Sequence, residues 1–195
     1  MSLKNHLELL SIYNQWMNSK NYESASLLSA TDLAKDRAAF FGSILGTLNH
    51  IVVADTIWLK RFATHPSCMS SLQEVANLPN PTSLRQILFD DIGSLSEHRA
   101  WLDRQIISWI AELSEGDLDF VLSYHNTKGI PANKRYSSLV LHFFNHQAHH
   151  RGQVWTLASS LGGLRAALEL QFRVGARLNA HELEHLVFLD EISAC

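Results

Sequence analysis

The sequence predicts an all-α protein: a four-helix bundle with a short hairpin-like insertion before the fourth helix. Three observations predict it. Apolar residues recur at helical spacing over long stretches of the 195-residue chain. Only four prolines occur, and Pro66, Pro79 and Pro81 bracket one connection. A single segment, ahead of the last helix, alternates polar and apolar residues instead. Long helices with one interruption pack as a bundle around a shared core.

Taken in order, the first helix is expected from about Leu3 to Lys20, with Leu7, Leu10, Tyr13 and Met17 as its inner stripe. A second, long helix runs from about Asp32 to Ala63. Within it, AAFFGSILGTLNHIVVADTIWL (Ala38 to Leu59) is apolar enough to suggest a membrane span. Asn49, His50 and Asp55 lie inside that stretch, and a central Asp alone costs about 2.5–3.5 kcal/mol on insertion. A helix buried in protein is the better reading, with no membrane partner. The third helix begins after Thr82-Ser83, read as N-caps, and continues to about Leu113. Its stripe is Leu84, Ile87, Ile92, Leu95, Trp101, Leu102, Ile106 and Ile110. From Leu118 to Arg135 the alternating pattern turns at Lys128-Gly129, which predicts a hairpin. The fourth helix starts near Ser137. Residues 1–160 make up the bundle, and residues 161–195 form a tail of different character.

Composition excludes some functions. The net charge of -3, with Lys and Arg scattered, offers no basic surface for nucleic acid. Cys68 and Cys195 make neither a disulfide framework nor a CxxC site, so a reducing, cytoplasmic setting is expected. MSLKNHLELL carries Lys4, His6 and Glu8 and has no secretory apolar core. The 46% hydrophobic content is enough to bury a substantial core.

The chemistry concentrates in HFFNHQAHHRGQVWTL, which begins at His142. On a helix, Leu139, Phe143, His146, His150, Gln153 and Leu157 fall on one core-facing seam. His142 and His149 fall on a small, polar stripe with Ser138, Asn145 and Gly152, at a surface or beside the site. His146 and His150 therefore occupy positions where Phe or Leu would pack. Burying imidazoles costs free energy unless their nitrogens find partners. Two readings satisfy them: a hydrogen-bonded core pair, or a divalent ion, for which i,i+4 spacing points two rings at one point. His50, midway along the second helix with Thr47, Ala54 and Ile57 on its face, is the candidate third ligand. Three neutral imidazoles leave coordination positions open, the composition of a catalytic rather than a structural site.

LNHIVVADTIWLKRF, FNHQAHHRGQV and the early YNQWMN together resemble the DinB family of the DinB/YfiT-like superfamily, over about Leu9 to Ala158. The HxxxHRGQ signature preceded by a mid-helix His carries most of that resemblance. It implies a four-helix bundle, a homodimer, and a divalent metal held by His50, His146 and His150. Arg151, Gly152 and Gln153 match the signature, but no ligand role transfers to them. Relatives include metal-dependent hydrolases and enzymes that transfer or isomerise with a low-molecular-weight thiol such as bacillithiol, mycothiol or glutathione. The resemblance thus implies a thiol or water activated at the metal for attack on a small electrophilic substrate. Imidazole suits Zn, Ni, Cu and Fe alike, so the metal is left open.

After Ser159-Ser160 the chain is expected to depart from the family. The tail contains HELEH, His181 to His185, which formally matches the HExxH zinc-peptidase motif with Glu182 activating water. Few residues follow it and no strand platform is evident, so an amphipathic terminal helix capped by Asn179 and Glu182 is preferred. A further alternative is a non-catalytic, metal-stabilised interaction protein. Tyr13, Trp16, Trp58 and Trp155 fit a pocket or plain core, and Asp55 and Arg61 fit a solvated or paired set better than catalytic groups.

Overall fold

The structure, a computed structural model, describes residues 2–67 and 69–159. It is mostly helical, with one two-stranded sheet. In chain order the elements are α1 (Leu3–Ala25), α2 (Ala30–Ala34), α3 (Ile44–Phe62), α4 (Gln73–Ala76), α5 (Ile92–Glu112), β1 (Val121–His125), β2 (Pro131–Arg135) and α6 (Tyr136–Ser159). The long helix α1 packs along α5 and α6, and α3 packs along α6. No helix among the described residues is long and apolar enough to cross a membrane.

Helix α1 starts where Ser2 Oγ accepts from the Asn5 amide at 3.2 Å. It runs past the expected end at Lys20, and its buried face is not the expected apolar stripe. Leu7, Ser11, Asn14, Asn18, Asn21, Tyr22 and Ala25 point inward, whereas Leu10, Tyr13 and Met17 are only partly buried. Three of the inward residues are asparagines about one turn apart, and two of them, Asn14 and Asn18, find charged partners across the core.

The expected second helix from Asp32 to Ala63 is broken. Ser29 caps the short α2 instead, its Oγ accepting from the Asp32 amide at 3.0 Å. The chain then loops, with Ala38 at φ 53° and Gly42 at φ 78°, both left-handed and incompatible with a continuing helix. Ser43 caps α3, accepting from the Gly46 amide at 2.9 Å. Gly46 is required by close approach: a Cβ there would meet the Phe41 carbonyl oxygen at 2.2 Å. Residues 44–56 are all buried, so the apolar stretch is a core helix of the protein.

The third long helix begins eight residues later than a cap at Ser83 suggests. Asp91 is its N-cap, accepting from the Ser94 amide at 2.8 Å. The reason lies on α3. Asn49 Oδ1 accepts from both the Leu88 and Phe89 amides, at 2.8 and 3.0 Å, and its Nδ2 donates to the Phe89 carbonyl at 2.9 Å. Backbone groups that a helix would pair internally are taken by this one side chain. Leu84 and Ile87 are consequently exposed rather than part of the stripe, while Leu95, Leu102, Ile106 and Ile110 are buried as expected.

The hairpin forms as predicted. Val121 pairs with Arg135 and His125 with Pro131 in an antiparallel ladder, and Gly129 takes φ 75° in the turn. Helix α6 follows directly. Below it, Trp109 stacks on Phe62 at 4.7 Å and donates to Tyr136 Oη at 3.0 Å, closing the apolar end of the core.

Candidate metal centre

Three histidines from two helices meet. His50 comes from α3, and His146 and His150 from adjacent turns of α6. One ring nitrogen from each lies within 4.8 Å of the other two, and among the described residues this is the only such group. His50 and His150 are buried and His146 is partly so. The ring centroids are 4.4 to 5.2 Å apart.

The tautomers follow from the hydrogen bonds. His50 Nδ1 lies 2.9 Å from the Leu84 carbonyl oxygen, which can only accept, so Nδ1 carries the proton and Nε2 keeps its lone pair. His150 Nδ1 lies 2.8 Å from Gln153 Oε1 and donates to it in the same way. The Gln153 amide is oriented from its other side, where Nε2 donates to His149 Nε2 at 3.2 Å. The lone pairs of the two buried rings are thereby directed away from their hydrogen-bonded edges. His50 Nε2 is 3.3 Å from His146 Nε2. Two ligand nitrogens on a tetrahedral ion at 2.0–2.1 Å would lie about 3.3 Å apart. The donor set fits a divalent ion.

Electrostatics keep the rings neutral, the form that ligates. Burial pushes His50 down to about 4, partly opposed by the Leu84 hydrogen bond, with the charges of His150 and Arg85 lowering it further. Burial also pushes His146 down to about 3, helped by the other histidines. His150 is lowered by burial, against the Gln153 hydrogen bond. Phe41 lies flat on His50, with centroids 3.7 Å apart and 16° between planes, and meets His150 edge-on at 5.5 Å. It shields one side of the cluster from water.

Sequence reasoning placed Gln153 on the seam without giving it a role, and it did not find Leu84 or Phe41 as parts of the site. A polar Gln three residues after a seam His was a usable signal for an orienting partner; a carbonyl and a loop phenylalanine gave none. His142 and His149 are exposed, the former edge-on to Trp58 at 5.4 Å. The seam itself is shifted, because Gln147 and Arg151 are also fully buried on α6, on its other inward side. Asp55 is a buried, paired residue, whereas Arg61 lies over the rings of Trp58 and Tyr124. Cys195, HELEH and the residues around it lie outside the described part of the chain, as does Cys68.

The sequence model of the DinB family matches residues 1–176. No curated protein and no solved structure matches the chain. With that match over most of its length, the chain belongs to the DinB family.

Proposed function

We propose that the protein is a metal-dependent enzyme in which His50, His146 and His150 hold one divalent ion on a DinB-type four-helix bundle. The observation that carries this reading is the 3.3 Å approach of the His50 and His146 Nε2 atoms, with His150 beside them. Without an ion, either two lone pairs face each other across that gap, or a neutral His146 donates from Nε2 to His50 and leaves its own buried Nδ1 without a partner. A divalent ion held there supplies a Lewis acid, at whose open positions a water or thiol becomes a nucleophile near neutral pH.

The chain's own residues prepare the site. Leu84 and Gln153 fix ring orientation and raise ligand basicity through the Nδ1 hydrogens. Phe41 excludes water from the His50 face. The reaction favoured by family likeness is attack of a low-molecular-weight thiol on a small electrophile, with hydrolysis second. A homodimer belongs to the same reading, and sedimentation at micromolar concentration tests it.

The catalytic test is a screen of thiols and electrophiles on the protein with its metal retained. Thiol-dependent turnover should vanish on chelation and return on re-metallation. Turnover indifferent to chelation would contradict the proposal. A metal-replete protein that turns nothing over would favour the non-catalytic interaction protein instead.

A further inference from the structure

Beside the histidines lies a cleft of about 790 Å3. It is built from the loop before α3, the last turns of α3, the stretch around Pro81–Arg85 and the hairpin. Two of its walls also belong to the metal centre. Phe41 lines the cleft and stacks on His50, and Leu84 lines it and accepts the His50 proton.

The charge of the cleft has one sign. Lys60, Arg61 and Arg85 line it, and no Asp or Glu does. None of the three forms an ion pair with a carboxylate among the described residues, although Lys4, Lys20, Arg37, Arg99 and Arg135 all do. Their contacts are neutral. Lys60 donates to the Leu78 carbonyl and Arg61 to the His125 carbonyl at 3.0 Å. Arg85 lies over the rings of Phe40 and Phe41, at 4.8 and 5.8 Å. A guanidinium has five N–H donors, so Arg61 and Arg85 both retain donors for a further acceptor. Burial also pushes the Arg61 guanidinium below its ordinary value, a cost that an adjacent anion would offset.

A recessed site of one sign concentrates counter-charge, and a planar fork pairs with carboxylate or phosphate oxygens two at a time. The remaining walls are apolar or aromatic, with Ile57, Tyr124 and Phe41 placed to take an organic body. We propose that this cleft binds small organic molecules by an anionic end, a carboxylate or phosphate, held by Arg61 and Arg85 with Lys60 as a point charge. The inference rests on the metal-centre reading for its catalytic meaning, since the cleft adjoins that centre through Phe41 and Leu84 and would set its substrate class. The binding itself stands apart from the metal.

Calorimetry on the full chain tests it with three probes: benzoate, phenyl phosphate and the uncharged benzamide. Benzoate or phenyl phosphate should bind saturably and benzamide at least about tenfold more weakly; whichever anion binds better identifies the preferred end group. Arg61→Gln and Arg85→Gln should each weaken anion binding about tenfold while leaving metal per chain unchanged. Thermal unfolding checks that both variants fold, and Arg85, being exposed, is the safer of the two. Binding of the better anion should survive His146→Ala. Equal binding of benzamide, anion binding unchanged in both arginine variants, or no saturable binding of either anion would overturn the proposal. Loss of anion binding in His146→Ala alone would show the anion ligating the metal, which rejects the cleft and leaves the metal centre standing. Anion binding in a protein that takes up no metal would reject the metal centre and leave the cleft.

Discussion

The core holds two clusters of polar side chains, and they are solved in opposite ways. One joins all four long helices. Arg99 of α5 pairs with Asp55 of α3 and, at 2.9 Å, with Asp103 one turn along. Asn18 of α1 donates to Asp103 at 2.9 Å and to Gln147 of α6 at 3.3 Å. Arg151 of α6 donates to Asn14 and, at 3.1 Å, to Asn18. Two cations face two carboxylates with amides between them, and every member is at most 4% exposed. The other cluster is His50, His146 and His150, with no carboxylate within it. The first network balances its charges within the chain, although Asp55 Oδ1, Arg99 Nε and Gln147 Nε2 make no hydrogen bond. In the second, His50 and His150 are tied through Nδ1 to Leu84 and Gln153, His146 Nδ1 has no partner, and the inner nitrogens face each other, the gap that the proposed ion would fill.

This contrast predicts that the two clusters fail differently. The largest effect should come from the charged network. Arg99→Met leaves Asp55 and Asp103 buried without a cation and should cost about 3–5 kcal/mol in denaturant unfolding. The folded fraction should still carry metal. A variant with wild-type stability would show that the network contributes nothing net.

Next comes Asn49, which serves the metal centre through the backbone. Asn49→Ala strands the Leu88 and Phe89 amides and should cost about 1–3 kcal/mol. Metal affinity should fall with it, because the same segment presents the Leu84 carbonyl to His50. Titration showing unchanged affinity would separate the two roles.

Gln153→Ala should leave stability near wild type but reduce metal affinity by about 10–100-fold, the usual cost of losing a partner that orients a ligand. Competition against a chromophoric chelator measures it, and unchanged affinity would mean that His150 needs no support. The smallest effect is expected at His142. It is exposed, and His142→Ala should alter metal affinity by less than about twofold.

The long helices and the hairpin were legible because hydrophobic period survives in a single sequence. The histidines were legible for the same reason: imidazoles at apolar positions contradict their surroundings, and a contradiction is visible. What escaped notice depended on contacts distant in sequence. The helix expected from Thr82 failed because Asn49, some forty positions away, takes its amides. The break before α3 hinged on backbone conformation at Ala38 and Gly42, and only the glycine hinted at it. The polar face of α1 was misjudged because Asn14 and Asn18 look solvent-facing until Asp103 and Arg151 are seen opposite them. Asp103 went unnoticed for the same reason: it and Asp55 carry charge into the core only because Arg99 is there too.

The central claim is that the open cluster is completed by an ion, and metal stoichiometry tests it most directly. Elemental analysis of the purified full chain, after equilibration with a first-row divalent metal and gel filtration, should give one ion per chain. His150→Ala should give none, while the His181→Ala, His185→Ala double variant, which removes the HELEH histidines, should still give one. A His150→Ala protein that retained one tightly bound ion, or a double variant that lost it, would contradict the account.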